Sequence, residues 1–388
     1  MDAVDYFTRH LDDYLRQLRE LVEIDTPTGD VENAGRAADL LAELLAPFGA
    51  VERVPLDGFG PLVRLRRPGY GARVLLSAHY DTVWPAGSWE RSWTADGDVV
   101  RGPGVCDMKA GLLFIPWALR WLRQTDRPTP PLEIVINPDE EVGSLASRTW
   151  LEGAAHRADF ALVLEPSNHD GGLKVARKGS GEFVVTARGR SAHQGAEPEA
   201  GRNAVVEAAH QVLHLASLSN PALGTTVGPN VIHGGSMSNV VPDRCELRVD
   251  VRAWTADEQH RLTTAIEAVQ PTTVDTRLEV RGGWNRPPME PTAASMALYR
   301  RARDIARRLG LDPPAVRWGG SSDANLIAAA GAPCVDGFGA IGSGAHRPDE
   351  QILVSELARR MALFAETVAS LVEPPDVQPE PTPAVADS

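Results

Sequence analysis

At 388 residues, with 43% hydrophobic and 23% charged positions, the chain has room for roughly two or three domains and the make-up of an ordinary globular protein. A formal net charge of −13 argues against a polyanionic partner, so nucleic-acid binding is excluded, and RRARDIARR (residues 300–308) reads as the wet face of a helix. Three scattered cysteines, Cys106, Cys245 and Cys334, make neither a disulfide framework nor a thiolate metal site. No apolar run approaches the ~20 residues of a membrane span, and the N-terminal segment lacks a secretory pattern, so the expectation is a cytoplasmic protein that does not meet a membrane.

In chain order, the first 50 residues predict two helices, the first from apolar positions Phe7, Leu11, Tyr14, Leu15, Leu18, Leu21 and Val22, the second from Ala37 to Leu45. RVLLSAH, PLEIVIN and FALVLEP then read as strands buried on both faces, with a helix around LLFIPWALRWL between the first two. This is an α/β pattern with a mixed, mostly parallel sheet flanked by helices. From about Gly179 the texture changes. GEFVVTARG, CELRVDVRAW and RLEVRGG alternate as antiparallel strands, with helices in NAVVEAAHQVLHLASL and near 256–269, which predicts an inserted α+β domain. After GGWNRPPME the chain returns to helix (293–309), strand (APCVDGFG) and helix (353–371). The expected organisation is a catalytic domain in two segments, 1–177 and 285–372, around an inserted dimerisation or lid domain, 178–284. The Pro-rich acidic tail, 373–388, is expected to be disordered.

Chemistry collects where apolar runs end. His79 and Asp81 close RVLLSAHYD, two apart and therefore on one side of a strand; Asp107 lies in GPGVCDMKAG, Glu140 and Glu141 in NPDEEVGS, Glu165 in LEP, and His346 in GSGAHRPDE. In open α/β sheets ligands bind beyond the carboxyl ends of strands, so such groups can meet although far apart in sequence. Two imidazoles and several carboxylates suit zinc or a similar divalent ion. Taken singly, each has a plainer reading: a His–Asp hydrogen bond at a strand end, a solvated helix start at Glu140–Glu141, a simple strand terminus at Glu165.

Together, SAHYDTV, GPGVCDMKAG, NPDEEVGS, LEP, SAHQG, SNVVPD, GGSSDAN and GSGAHRPDE, in that order, resemble the zinc aminoacylase and carboxypeptidase G family of co-catalytic metallopeptidases over all but the tail. The resemblance implies two zinc ions per chain, with Co or Mn as alternatives. Asp107 would bridge them, His79 and Glu165 hold one, and Glu141 and His346 hold the other. It further implies Glu140 as general base and later acid, Asp81 as the carboxylate that fixes the His79 imidazole, and His193 in SAHQG as an oxyanion-stabilising group. Asn239, Arg252 and Arg286 resemble substrate contacts, an Arg fork suiting a substrate carboxylate, although Arg252 on an alternating strand also reads as a plain surface charge.

Other features have plainer readings. His210 and His214, four apart on a helix, lack a third ligand; GGSSDAN lacks the nucleophile elbow of a serine hydrolase; Trp84, Trp89 and Trp93 read equally as a pocket mouth or as packing under a loop. The function implied is hydrolysis of an amide next to a free carboxylate, in the manner of the glutamate carboxypeptidase branch, by a homodimer acting on a small molecule or short peptide. The alternative is an N-acyl-amino-acid deacylase of the acetylornithine deacetylase or succinyl-diaminopimelate desuccinylase type. A catalytically silent binding protein on the same fold is the reading of another class; retention of His79, Asp107, Glu140, Glu141, Glu165 and His346 weighs against it.

Overall fold

The computed structural model describes residues 2–377 and the backbone of Ala386–Asp387. It divides into two compact units: one formed by the chain up to Ala176, Pro291–Trp318 and the chain from Ser322, the other by Arg177–Glu290 with Gly319–Ser321. Gly319–Ser321 thus belongs with the second unit, although it lies far along the returning segment. Of the tail expected to be disordered, residues 378–385 and 388 lie outside the described residues. No helix among the described residues is long and apolar enough to cross a membrane.

The first unit is built on a six-stranded sheet, in the order Val51–Val54, Leu62–Arg67, Leu132–Asn137, Val74–His79, Phe160–Val163 and Cys334–Val335. The last four strands run parallel, and the first two are antiparallel additions. Val74–His79 is buried at every position, as expected of a strand covered on both faces. Its helical cover includes Ala110–Gln124, with Trp117 and Trp121 fully buried, and Val354–Ser370. The single N-terminal helix expected from periodicity is two, Ala3–Arg9 and Leu11–Val22, broken at His10, whose Nδ1 lies 2.8 Å from the Tyr6 carbonyl oxygen; a third helix spans Val31–Leu45.

A smaller four-stranded sheet joins Gly342–Ser343, Gln351–Leu353, Val99–Arg101 and Thr94–Asp96. Its pairing of Gln351–Leu353 with Val99–Arg101 sets the loop after Arg101 beside the turn that carries His346.

Arg360, on the last helix, is 1% exposed and donates to the carbonyls of Gly171, Gly337 and Gly339. Burial lowers its guanidinium only to about 10, so it stays charged at neutral pH. Gly339 in turn donates to the Glu165 carbonyl at 2.9 Å, and a Cβ there would stand 2.4 Å from the Leu164 oxygen, which explains a glycine at this crossing.

The second unit holds a four-stranded antiparallel sheet in the order Thr226–Gly234, Arg244–Ala253, Gly179–Arg188 and Arg277–Arg286, with helices Ala204–Ala216 and Ala256–Glu267. Phe183, Val185, Leu247, Val249, Val251, Leu262 and Ile266 make its core. Its two edges differ. Arg277–Arg286 carries Arg277, Glu279 and Arg281, whereas Thr226–Gly234 contains no Asp, Glu, Lys or Arg and exposes Val231 and Ile232.

Replacing Arg360 by Met leaves three buried carbonyls without that donor, at about 1–3 kcal/mol for each group left unsatisfied. Urea unfolding of Arg360→Met is expected to show a loss of at least ~3 kcal/mol, with Arg360→Lys intermediate.

Candidate metal centre

The site is assembled from loops that follow strand ends in the first unit. His79 terminates its strand with 1% exposure, and its Nδ1 faces Asp81, 3.1 Å from the main-chain oxygen and 3.3 Å from Oδ1. With both acceptors on that side, Nδ1 carries a proton, and Nε2 points the other way. On that other side Nε2 lies 3.3 Å from Asp107 Oδ1 and 3.7 Å from Glu165 Oε1.

Asp81 itself is buried and holds more than the imidazole. Its Oδ1 accepts from the Glu140 N–H and its Oδ2 from the Glu141 N–H, both at 3.1 Å, while the Thr28 hydroxyl donates to Oδ2 at 2.7 Å. One carboxylate therefore orients His79 and also sets the short turn Glu140–Val142.

Asp107 comes from an irregular turn, Val105–Lys109, entered through Gly104 in the left-handed region (φ +71°), where a Cβ would also strike the Thr82 methyl at 2.4 Å. The peptide joining Asp107 to Met108 is cis. Asp107 presents Oδ1 to His79 and Oδ2 to His346 Nε2, the latter at 3.4 Å. His346 Nε2 is also 3.1 Å from Glu141 Oε2. Ligand atoms of His79, Asp107 and Glu141 lie within 4.8 Å of one another, as do those of His79, Glu140 and Glu165.

Three buried atoms of this cluster, His79 Nε2, Asp107 Oδ1 and Glu141 Oε1, make no hydrogen bond of good geometry among the described residues. Orphaned groups of this kind cost free energy unless something else satisfies them, and two imidazoles with several carboxylates are the donor set of a divalent ion. The residues fit a metal.

Protons and imidazoles balance the charge of the carboxylates. Burial works against a charge on His79, but the carboxylates of Asp107 and Asp81 outweigh it and hold the imidazole well above its ordinary value. Burial also opposes ionisation of Asp107, yet the two imidazoles beside it hold its carboxyl well below the usual carboxylate range. Burial raises Glu141, and the adjacent Asp107 and Glu141 raise His346, so this pair keeps a proton at neutral pH.

The second unit carries the remaining sequence-predicted residues. His193 is exposed and pairs with Val240, while Gln194 donates to the Asn239 carbonyl at 2.9 Å, which makes His193 and Asn239 neighbours. His193 Nδ1 accepts from the Gly195 and Ala196 N–H groups, both at 3.1 Å, so the proton of the neutral ring belongs on Nε2. Arg252 and Arg286 flank Ser180 on adjacent strands. The Arg252 guanidinium is gripped by Asp250 through Nε and Nη2 at 2.8–3.1 Å, and Arg286 is buried, 3% exposed. His210 and His214 are exposed on their helix. In the first unit Trp84 and Trp89 stack edge to face, and Trp84 is tied to Glu350.

Sequence reasoning passes over Thr28 and Glu350. Thr28 leaves no signal, being one hydroxyl in an irregular loop. Glu350 does leave one, an acid four residues beyond His346 in a stretch of Gly and Pro.

Fold and site together define a metal-dependent hydrolase. The chain belongs to the peptidase family M20/M25/M40, whose family model matches residues 75–370. It is 30% identical over 373 residues to carboxypeptidase G2 of Pseudomonas sp. (strain RS-16), covering 92% of this chain and 89% of that one. It is 27% identical over 370 residues to succinyl-diaminopimelate desuccinylase of Rhodospirillum rubrum, covering 85% and 89%. Among solved structures, aminopeptidase PepT from Bacillus cereus shares the fold with a TM-score of 0.78 at 22% identity, over 93% of this chain and 98% of that one. The M20 family metallo-carboxypeptidase Sso-CP2 from Sulfolobus solfataricus does so with a TM-score of 0.72 at 16% identity, over 92% and 99%.

Because His79 and the Glu141–His346 pair each retain a proton that a cation displaces, zinc added to the protein at pH 7 is expected to release more than one proton per chain, and affinity should fall as the solution is acidified. Titration in weak buffer with a pH indicator measures both.

Proposed function

We propose that this protein is a dinuclear zinc amidohydrolase that cleaves an amide bond next to a free carboxylate and releases a C-terminal glutamate or a similar amino acid. The observation that carries the reading is the cluster of two imidazoles and four carboxylates around orphaned ligand atoms, in a chain related to carboxypeptidase G2. In this reading His79, Asp107, Glu141, Glu165 and His346 would hold two divalent ions. Bound divalent ions supply Lewis acidity, which acidifies water and polarises a carbonyl.

The chain's own residues supply the rest. Glu140, whose N–H is held by Asp81, takes a proton from the attacking water and returns it to the leaving amine. His193, with Nδ1 engaged by the main chain, offers Nε2–H as a donor to the developing oxyanion. Asn239, Arg252 and Arg286 contact substrate, with Arg252 exchanging Asp250 for the substrate carboxylate.

A second reading, deacylation of an N-acyl amino acid, is favoured by the relatives named succinyl-diaminopimelate desuccinylase. The two differ in which side of the amide is recognised.

We further propose a homodimer joined through the second unit. An exposed sheet edge without charge is a template for another strand, and an antiparallel edge is self-complementary about a two-fold axis. The Thr226–Gly234 edge has these properties, and the charged opposite edge does not.

Glu140→Gln is expected to retain metal and lose at least ~100-fold in kcat; near-normal turnover would remove Glu140 from its role. N-acyl-glutamates should be hydrolysed faster than N-acetyl-ornithine or N-succinyl-diaminopimelate, and a preference for the basic substrates would favour the deacylase reading. Ile232→Lys should convert a dimer to monomers in light scattering, whereas an unchanged mass would place the interface elsewhere.

A further inference from the structure

Glu350, the last residue of the GSGAHRPDE segment, takes no part in the proposed reaction, yet it is fully buried. Each of its oxygens accepts two hydrogen bonds. Oε1 receives the N–H groups of Cys106 and Asp107 at 2.9 and 3.0 Å, and Oε2 receives the Gly104 N–H at 3.0 Å and the Trp84 indole Nε1–H at 2.7 Å. Three of these donors are main-chain groups of one turn, arranged as a concave nest around the anion. The left-handed Gly104 makes that nest possible.

The main chain of Glu350 is anchored on the other side. Its N–H donates to the Arg347 carbonyl at 3.0 Å, closing the turn directly after His346. A single side chain therefore ties the turn that carries Asp107 to the turn that carries His346, two residues whose side chains approach to 3.4 Å.

The structure assigns Glu350 a positioning role: by fixing the Asp107 main chain against the His346 turn, it sets the spacing on which both metal positions depend. This inference rests on the two-metal reading above. Carboxylate chemistry is specifically required. An amide offers only one acceptor oxygen and would turn its own N–H groups toward N–H donors. A residue that merely tied down a loop would lower stability and leave metal affinity in the folded protein unchanged.

The test compares wild type, Glu350→Gln and Glu207→Gln by zinc competition against a chelator at a temperature where all are folded, and by the visible spectrum of the cobalt-loaded proteins. Glu207 is an equally buried carboxylate in the second unit that accepts from the Thr272 and Thr273 N–H groups, so its variant controls for a purely structural loss. Glu350→Gln is expected to weaken zinc binding by about 10- to 100-fold and to shift the cobalt bands, with Glu207→Gln unchanged in both.

Zinc affinity within twofold of wild type, with an unaltered cobalt spectrum, would overturn the role of Glu350 while leaving the metal centre standing. A wild-type protein that takes up no metal would overturn the two-metal reading and this role with it. If Glu350→Gln does not fold, Trp84→Phe carries the test. It removes one donor from Oε2 and should loosen zinc by roughly threefold; no change would count against the proposal.

Discussion

The structure is organised around a concentration of negative charge that a protein interior does not tolerate unaided. Asp81, Asp107, Glu140, Glu141 and Glu165 crowd one end of the central sheet, against imidazoles at 3–4 Å. Two like charges 4 Å apart repel by about 4 kcal/mol at an effective dielectric constant near 20. The site therefore stands only where donors or cations are aimed at it. Asp81 spends its oxygens on two main-chain N–H groups, a threonine hydroxyl and an imidazole. Asp107 Oδ1 and Glu141 Oε1, by contrast, have no hydrogen-bond partner among the described residues.

That division of labour follows from the sheet. Val74–His79 lies between Leu132–Asn137 and Phe160–Val163, all running the same way, so the loops bearing His79, Glu140–Glu141 and Glu165 leave from the same end. Asp107 and His346 arrive by another route, through the small sheet that pairs Val99–Arg101 with Gln351–Leu353. The centre thus depends on two sheets agreeing in position. Arg360 and Glu350 are the buried charges that link the loops between them, one by donating to three carbonyls and the other by accepting from three main-chain N–H groups.

Much of this is legible in the sequence. RVLLSAH, PLEIVIN and FALVLEP announce buried strands by continuous apolar character, and the polar residues that end them are the ones gathered in the cluster. The alternation in CELRVDVRAW marks an antiparallel strand with Leu247, Val249 and Val251 inward. What escapes is whatever depends on a main-chain path. The break at His10 follows no composition rule, and the grip of Asp250 on Arg252 depends on rotamers. The service of Thr28 to Asp81 and of Glu350 to Gly104–Asp107 comes from long-range contacts that no local pattern records. Glu140 lies as close to His79 and Glu165 as the other carboxylates of the cluster do to their neighbours, so residue type alone does not assign the carboxylates different roles here.

The cluster draws on residues from 79 to 346, and the whole of the second unit's main segment, Arg177–Glu290, lies between Glu165 and His346. During synthesis the ribosome must therefore complete that unit before the last imidazole emerges. A growing chain can offer His79, Asp107, Glu141 and Glu165, but the cluster is complete only when residue 346 has been made and the 342–353 hairpin has joined Val99–Arg101. In the two-metal reading, loading of the full centre would consequently wait until the chain beyond the second unit has been made.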